Sequence, residues 1–456
     1  MDTQKLRQRI LDLAIRGKLV PQDPNDEPAS VLLDRIRAEK ECLIAEGKIK
    51  RPKAKKSTDK SHYQKFEIPD TWVWTTLGEI FSMQAGKSIH SQDLSSFSED
   101  CPYPCYGGNG IRGFLPIFSH QGTYPIIGRQ GALCGNINIA QGPFYATEHA
   151  VVVESFANTN TFLWAFFLEY LNLNQYATST AQPGLSVAKI EEVPIPLPPI
   201  EEQERIVSKI HKWFGLIEHI GNTTTSLLDT ISLTKSKILD LAMQGKLVPQ
   251  EPSDEPAADM LRRINPKAKI ITDNPHSRNL PTNWILCRFG DIADISRGGS
   301  PRPIKSYITN DCNGINWIKI GDADGKYINS TKEKIIPAGV KMSREVKKGE
   351  ILLTNSMSFG KPYILNINGC IHDGWLVLSP KGNSYDKDFL YYLLSSKIAY
   401  SQFAEQAGGA VVSNLNSDKV ANTLFPLLSI SEQQRIVGKI EELYSVLDEI
   451  EASLQS

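Results

Sequence analysis

Glycine-rich loops with arginine, asparagine and glutamine side chains are the stretches of this sequence best suited to chemistry. The loop "YGGNGIRGF" carries Asn109 and Arg112, and the loop "GRQGA" carries Arg129 and Gln130. Arginine donates two hydrogen bonds to guanine, asparagine and glutamine pair similarly with adenine, and glycine lets the backbone approach a ligand closely. These loops predict contacts with the edges of DNA bases. Taken singly, each residue also fits an ordinary surface turn.

Two loops further along the chain have the same composition. The loop "SRGGSPRP" carries Arg297 and Arg302, and "TNSMSFGK" carries Asn355, Ser356 and Lys361. The loops and two further lysines together give the predicted set of DNA-contacting residues, which is Lys87, Asn109, Arg112, Arg129, Gln130, Arg297, Arg302, Lys319, Asn355, Ser356 and Lys361. The set is a stronger indication of DNA binding than any of its members.

Motifs for catalysis are missing from the sequence. Gly86, Lys87 and Ser88 supply the end of a phosphate-binding loop, but Phe81 stands where its first glycine is required. The sequence also has no HExxH pair and no Asn-Pro-Pro-aromatic tetrapeptide of the kind that holds a flipped adenine. We therefore expect no catalytic residue and no cofactor in this chain.

The seven cysteines form no recognisable framework. "CPYPC" contains Cys101 and Cys105, but no second pair has matching spacing, and a zinc site that also used Cys134 and His120 or His149 is the less favoured alternative. We expect no metal and buried free thiols, as in a reducing cytosol. The first residues have no apolar signal core, and no apolar run is long enough to span a bilayer, so we expect a cytoplasmic protein without a membrane partner.

Charge is balanced overall and clustered locally. Fifty Lys and Arg residues oppose 51 Asp and Glu residues, so nucleic-acid affinity requires local basic clusters. The stretch "GKIKRPKAKKSTDK", from Gly47 to Lys60, is rich in lysine and has Asp59 as its one acid. It fits either a solvated linker or a segment that contacts phosphates.

The chain contains the same pieces twice. Residues 11–36 and 239–264 align without a gap and are identical at 18 of 26 positions. "EQERIVSKI" from Glu202 matches "EQQRIVGKI" from Glu432 at seven of nine positions. The two pieces are continuous in the middle of the chain and split between its ends in the other copy. Read circularly, the sequence is therefore two equal halves.

Apolar residues at alternating spacings of four and three predict long coiled-coil helices after each "EQxRIV" motif. The alternative is an ordinary amphipathic helix packed on a core. The stretch from Ile206 to Leu241 would be about 50 Å long, or about 15 base pairs of duplex. The predicted seam residues are Ile206, Ile210, Trp213, Ile217, Ile220, Leu227, Ile231, Ile238, Leu241, Ile436, Ile440, Leu443, Leu447 and Ile450.

Two lobes of unlike sequence lie between the repeated pieces, and each mixes short strands with helix. Predicted strands are "TYPIIG", "NINIA" and "HAVVVE", then "INWIKIG", "EILLTN" and "WLVLS"; the helices are "TFLWAFFLEYLNLNQYA" and "KDFLYYLLSSKIAYSQFA". The fold class is α+β, with two mixed α/β lobes separated by an antiparallel coiled coil of two long helices and a circular pseudo-twofold arrangement. The predicted domains are an N-terminal helix and basic linker 1–61, a first lobe 62–198, a central helix and linker 199–274, a second lobe 275–428 and a C-terminal helix 429–456.

Several motifs resemble one known family. They are "LDLAxxGKLVPQ" in two copies, "IPLPPIEEQERIV" and "FPLLSISEQQRIV", "ATEHAVVV" and "HDGWLVL", and "STAQPGLS". With their circular order they are similar to the DNA-specificity subunits of type I restriction-modification systems. The second lobe has "EQAGGAVVSNLNS" where the first has "STAQPGLS", so the equivalence of these two loops is left open.

The resemblance implies a non-catalytic subunit in which each lobe is a target-recognition domain for one half of a bipartite sequence in double-stranded DNA. It further implies that the helices set the spacer and dock two methyltransferase subunits and the restriction motor-nuclease subunits. S-adenosylmethionine, ATP and Mg would then belong to these partners. Two other readings stay open: a fused nuclease or methyltransferase, and a coiled-coil adaptor with two peptide-binding lobes. Salt-dependent binding to duplex DNA distinguishes the adaptor from the DNA reader.

Overall fold

The structure of the chain is a computed structural model that describes residues 2–49, 66–177, 183–272, 280–355, 360–407 and 415–455. Its contacts divide the chain into two compact units, residues 1–223 (unit 1) and 224–456 (unit 2). Most of the lysine-rich stretch from Gly47 to Lys60 falls outside the described residues, so its role stays a prediction.

Unit 1 combines helices with a six-stranded sheet of order β2-β7-β5-β6-β3-β4 and a two-stranded sheet, β1-β8. Its helices are α1 (Thr3–Ile15), α2 (Ala29–Ala45), α3 (Leu77–Ile80), α4 (Thr161–Tyr170), α5 (Val187–Ile190) and the first part of α6 (Ile200–Ala242). Its strands are β1 (Val73–Thr76), β2 (Phe81–Ala85), β3 (Tyr103–Gly107), β4 (Gly110–Leu115), β5 (His120–Gly128), β6 (Ile137–Ala146), β7 (Ala150–Ser155) and β8 (Pro194–Leu197).

Unit 2 has two five-stranded sheets, β10-β19-β16-β17-β13 and β11-β14-β12-β18-β15, and the pair β20-β9. Besides the end of α6, its helices are α7 (Ala257–Ile264), α8 (Phe289–Ile292), α9 (Pro337–Val340), α10 (Lys387–Leu394), α11 (Lys397–Ala407), α12 (Ser417–Ala421) and α13 (Ile430–Gln455). Its strands are β9 (Ile285–Arg288), β10 (Ala293–Arg297), β11 (Ile308–Thr309), β12 (Ile315–Ile318), β13 (Tyr327–Ile328), β14 (Glu333–Ile335), β15 (Arg344–Val346), β16 (Ile351–Thr354), β17 (Pro362–Leu365), β18 (Gly369–Ile371), β19 (Trp375–Pro380) and β20 (Leu424–Leu427).

Continuous apolar runs form the buried strands β7 and β19. In β7, Val151 and Val153 join one hydrophobic cluster, whereas Val152 joins another on the opposite face. In β19, Leu376 and Val377 are divided between two clusters in the same way. Successive side chains of a strand point to opposite faces, so an unbroken apolar run fits a strand covered on both sides. The α+β class and the six predicted strands are confirmed.

The predicted helices of the lobes are shorter than expected. The first ends as α4 at Tyr170, and Asn172 follows with a left-handed backbone, φ 45°. The second is divided into α10 and α11, with Ser395 and Ser396 between them. Serine and asparagine hydrogen-bond nearby backbone groups and so compete with helix formation, which explains both breaks.

In each unit an antiparallel helix pair joins the two repeated sequence pieces. In unit 1 the Arg7 guanidinium of α1 lies 3.9 Å from the Phe214 ring centroid of α6, and Gln22 donates to Glu202 at 2.7 Å. In unit 2 the Tyr444 hydroxyl of α13 donates to the Lys235 carbonyl at 2.9 Å. Each pair therefore combines a helix that leads into "GKLVPQ" with a helix that begins near "EQxRIV".

Four of the fourteen predicted seam positions are displaced by one residue. Ile206, Ile210, Ile217, Ile231, Ile238, Ile436 and Ile440 are buried, and Leu241, Leu443 and Leu447 are half-buried. Four predicted seam residues are instead exposed by 40–46%: Trp213, Ile220, Leu227 and Ile450. Their places in the seam are taken by the next residues along the helices, which are Phe214, Gly221, Leu228 and Glu451. The burial pattern keeps the predicted period of seven, and the predicted register was wrong at these four positions.

A buried tryptophan–glutamate hydrogen bond closes the base of each helix pair. The Trp72 indole donates to Glu202 at 2.8 Å, and the Trp284 indole donates to Glu432 at 2.9 Å. Both glutamates are at most 1% exposed. Gly17 lies against the segment that leads to Trp72. Its backbone has φ 67°, and a Cβ on Gly17 would lie 2.5 Å from the Pro69 side chain. Glycine is required because both the left-handed backbone and the close contact exclude a side chain.

Candidate nucleic-acid interface

In unit 1 the glycine-rich loops meet beside the turn between β6 and β7. The backbone N–H of Lys87 donates to the Ala146 carbonyl at 3.1 Å, and a Cβ on Gly86 would lie only 1.9 Å from that oxygen. A Cβ on Gly128 would lie 2.0 Å from the carbonyl oxygen of Gly108. The glycines therefore allow three loops to approach one another at distances that side chains would prevent.

This packing brings four of the five predicted residues of the first lobe to neighbouring loops. Asn136 donates to the Asn109 side chain at 2.9 Å, which fixes the amide of Asn109 on the β3–β4 turn. The Arg129 side chain donates through Nε to the Leu185 carbonyl at 3.3 Å and is half-buried. Lys87, Asn109 and Gln130 are exposed. The fifth residue, Arg112, is also exposed and lies on β4, with its side chain against Gly107.

In unit 2 the predicted residues gather around Asp373, on the turn before β19. Arg297 donates through Nε to the Asp373 carbonyl at 3.0 Å, and Ser300 donates to its carboxylate at 2.7 Å. The Arg302 guanidinium is 3.9 Å from the same carboxylate, and its side chain is 85% exposed. The sequence did not single out Asp373, because a lone acid in "HDGW" has no distinguishing spacing.

Electrostatics keep this turn negatively charged at its centre. The hydrogen bond from Ser300 lowers the pKa of the Asp373 carboxyl, so the group is ionised at neutral pH and acts as an acceptor. Burial lowers the pKa of the neighbouring His372 imidazole. The ring is therefore neutral near pH 7 and does not neutralise the carboxylate. An ionised acceptor flanked by arginines suits the donor and acceptor pattern of base edges.

The other four candidates in unit 2 have different roles, lie elsewhere or fall outside the described residues. Asn355 is 1% exposed, and its amide donates to the Asp373 carbonyl at 2.8 Å, so it supports the turn and is unavailable to a base. Lys319 forms a salt bridge with Glu333 at 2.7 Å. Lys361 is exposed after β16, with its backbone N–H bonded to Thr354 at 2.9 Å. Ser356 lies outside the described residues.

The same pattern of backbone hydrogen bonds holds the loops in place in both units, and we call this pattern the loop frame. The Arg129 N–H donates to the His149 carbonyl at 2.9 Å, and the Asn355 N–H donates to the Gly374 carbonyl at 3.0 Å. The N–H of Leu185 reaches the Arg129 carbonyl at 2.8 Å, and that of Leu415 reaches the Asn355 carbonyl at 2.9 Å. The ends of "STAQPGLS" and "EQAGGAVVSNLNS" are thus equivalent at these leucines.

In the described part of the chain, few features support metal binding, thiol chemistry or membrane insertion. There, no three His, Cys, Asp or Glu side chains are grouped closely enough to hold a metal ion. Cys105 and Cys134 are buried, and burial raises the pKa of both thiols. No helix among the described residues is long and apolar enough to cross a membrane.

Comparison with known proteins identifies relatives across both units. The family model "Type I restriction modification DNA specificity domain" matches residues 69–227 and 281–456. The EcoprrI specificity subunit of Escherichia coli is 45% identical over 163 residues, which are 35% of this chain and 38% of that protein. The EcoAI specificity subunit of the same species is 26% identical over an alignment of 561 positions that covers 98% of this chain and 90% of that protein.

A solved structure shares the fold. It comes from work on complex assembly and conformational transition of the type I R-M system, and it matches with a TM-score of 0.60. The match covers 86% of this chain and 94% of the other, at 17% sequence identity. At this identity the likeness concerns the fold alone.

Proposed function

The chain belongs to the DNA-specificity subunits of type I restriction-modification systems, and we propose that each of its units reads one half of a bipartite DNA target. Its part in such a system is recognition of DNA, and catalysis belongs to other subunits. Unit 1 would read through the loops around Asn109, Arg129 and Gln130. Unit 2 would read through the loops around Arg297 and Arg302.

One observation carries this proposal: the two units present different side chains on the same backbone frame. Arg129 and Asn355 make matching backbone hydrogen bonds. Beside this shared frame, unit 1 exposes Asn109 and unit 2 exposes Arg297 and Arg302. Direct readout depends on side-chain donors and acceptors held at fixed positions against a base edge. A shared frame with unlike side chains suits two half-sites of unlike sequence.

We further propose that α6 sets the distance between the half-sites. It is one continuous helix of 43 residues. Helices rise 1.5 Å per residue, so the stretch between Ile206 and Leu241 is about 50 Å long, similar to about 15 base pairs of duplex. A helix keeps its length, whereas a loop of the same number of residues would not fix a spacer.

Partner subunits would dock on the exposed apolar residues of α6. Trp213, Leu216, Ile220 and Leu227 are each 40–45% exposed, although large apolar side chains are usually withdrawn from water. Their spacing of three, four and seven residues places them along one side of the helix. We propose a methyltransferase subunit as the occupant, with S-adenosylmethionine on that subunit and ATP and Mg on the restriction subunits.

Selection of random duplexes by the purified chain tests the DNA-reading function. The expected result is a motif of two short specified blocks separated by an unspecified gap, with binding that weakens as salt rises. An adaptor for peptides would select no motif and show no such salt dependence. Turnover of S-adenosylmethionine by the chain alone would also contradict the proposal.

A further inference from the structure

The edge strand β15 carries a dense group of basic residues. Four lie within eight positions on or beside the strand, and all are exposed: Lys341, Arg344, Lys347 and Lys348. In the described part of the chain, the structure gives no salt bridge to any of the four. The one acid among them is Glu345, which is also exposed, and nearby Glu350 accepts a hydrogen bond from the Lys347 backbone N–H at 2.6 Å. The group, which we name the β15 basic edge, therefore has an excess of positive charge.

The β15 basic edge is continuous with the loops of unit 2. Strand β15 pairs with β18, where Arg344 is the partner of Ile371, two residues before Asp373. A Cβ on Gly299 would lie 2.9 Å from the Met342 carbonyl oxygen, so the loop that leads to Arg302 runs against the start of the edge. A nucleic acid held by the loops would thus meet the basic residues next.

Charge is distributed unequally between the two lobes. Residues 280–428 contain 17 Lys and Arg against 13 Asp and Glu, whereas residues 66–198 contain 4 against 11. The net charge of the whole chain, −1, conceals this difference. Attraction of a polyanion within the lobes is therefore concentrated in unit 2.

We propose that the β15 basic edge binds the phosphate backbone of the duplex whose bases the unit 2 loops read, an inference that rests on the proposed function and deepens it. The three residues of β15 span about 10 Å, which corresponds to about three nucleotides along one DNA strand, and the flanking lysines extend the basic group at both ends. The edge supplies affinity and orientation, and the loops supply sequence selectivity.

Lysines on an edge strand also prevent pairing with other sheets, which is a different role. The two roles differ in what they do to DNA binding. Phosphate contacts release counterions, so each one steepens the dependence of affinity on salt by about 0.9 in a plot of log K against log salt. Protection of the edge leaves that slope unchanged and affects aggregation only.

The test compares the full-length chain with two variants that each lose four charges, using a mixed-sequence duplex at salt concentrations from about 50 to 200 mM. The test variant is K341Q/R344Q/K347Q/K348Q. The matched control removes four exposed lysines elsewhere in unit 2, none with a salt bridge in the described part of the chain: K237Q/K267Q/K269Q/K387Q. We expect the slope to fall by about 3 to 4 in the test variant and by less than about 1 in the control.

Each outcome is decisive. Equal slopes for the test variant, the control and the unaltered chain would overturn the phosphate role while leaving DNA reading intact. An unaltered chain without salt-dependent binding would overturn the proposed function as well. Should the four-fold variant aggregate, K347Q/K348Q replaces it, with an expected fall in slope of about 2. A stable two-fold variant with an unchanged slope would likewise overturn the inference.

Discussion

Arg129 and Asn355 occupy the same backbone position in the two units. Each donates its backbone N–H to the carbonyl oxygen of the residue that precedes a strand, β7 in unit 1 and β19 in unit 2. The carbonyl of each accepts the backbone N–H of a buried leucine, Leu185 or Leu415. Their side chains nevertheless have different roles, because Arg129 is half-buried beside the loop surface and Asn355 is 1% exposed. One frame thus holds a candidate reader in unit 1 and a supporting residue in unit 2.

Alanine substitution should separate these roles. We expect Arg129→Ala to weaken binding to the selected target by about 1–3 kcal/mol and to relax selectivity in one half-site, with little change in melting temperature. Asn355→Ala should instead destabilise unit 2 by about 1–3 kcal/mol, because the Asp373 carbonyl loses a buried hydrogen bond. Titration with target DNA and thermal unfolding measure the two effects. Lys18→Ala, an exposed change in unit 1, is the control, and equal behaviour of both test variants would contradict the distinction.

The buried Glu202 carboxyl should make stability depend on pH. Burial raises the pKa of this group, against the opposing hydrogen bonds from Trp72 and Gln22. Arg205 lowers the same pKa and Asp26 raises it. A carboxyl with a raised folded pKa binds protons on folding, so its contribution is full below the unfolded value of 4.5 and is lost as pH rises above that value.

Substitution by glutamine keeps the neutral form and removes that loss. The melting temperatures of Glu202→Gln and of the unaltered chain are compared at each pH. The difference, variant minus unaltered chain, should increase as the pH rises above 4.5. Glu201→Gln, which makes the same substitution at the exposed neighbour of Glu202, is the matched control. A difference that falls with rising pH in Glu202→Gln would show that the carboxylate, rather than the acid, stabilises the fold.

The exposed apolar residues of α6 should matter for assembly rather than for folding. Replacing Trp213 and Ile220 by serine removes side chains that are 40% and 41% exposed, so the free chain should melt within a few degrees of its usual temperature. Burial of such side chains against a partner stabilises a complex by about 1.5–3 kcal/mol each. Co-elution with the methyltransferase subunit should fall by at least about tenfold. Unimpaired assembly in the double variant, alongside a Glu218→Ser control, would place the docking surface elsewhere.

The length of the helices should determine the gap between half-sites. Inserting one heptad into α6 after Thr223 and a matching heptad at the end of α13 adds about 10 Å. Selection from random duplexes should then return the same two half-sites with a gap about three base pairs longer. An unchanged gap would show that something other than these helices sets the distance.

The hydrophobic periodicity of the sequence predicted the strands and the period of the long helices. It did not predict the helix register at positions where a small or polar residue lies in the seam. The seam of α6 includes Gly221, which has no side chain, and Lys235, which is charged, so neither shows an apolar pattern in the sequence. Trp213 and Ile220 look like core residues in the sequence and are exposed. Lys235 fits the seam because its ammonium group pairs with Asp448 and Glu451 at 2.6 and 2.8 Å. Such compensation becomes visible only when the partner helix is in place.

The candidate interface was predicted in composition but not in detail. Glycine-rich loops lie close together in each unit, beside Ala146 in unit 1 and around Asp373 in unit 2, and the sequence did not predict this proximity. The burial of Asn355 and the position of Asp373 depend on backbone hydrogen bonds between segments far apart in sequence, such as Ser300 with Asp373. The basic residues of β15 were overlooked because the charge of the whole chain is nearly balanced.

The most direct measurement is a map of methylated adenines in DNA from cells that carry this chain with its partner subunits, before and after residues 62–198 are replaced by those of a relative. We expect a bipartite motif in which the exchange alters one half and leaves the other half and the gap unchanged. A motif that changes in both halves, or methylation without a bipartite pattern, would contradict the claim that each unit reads its own half-site.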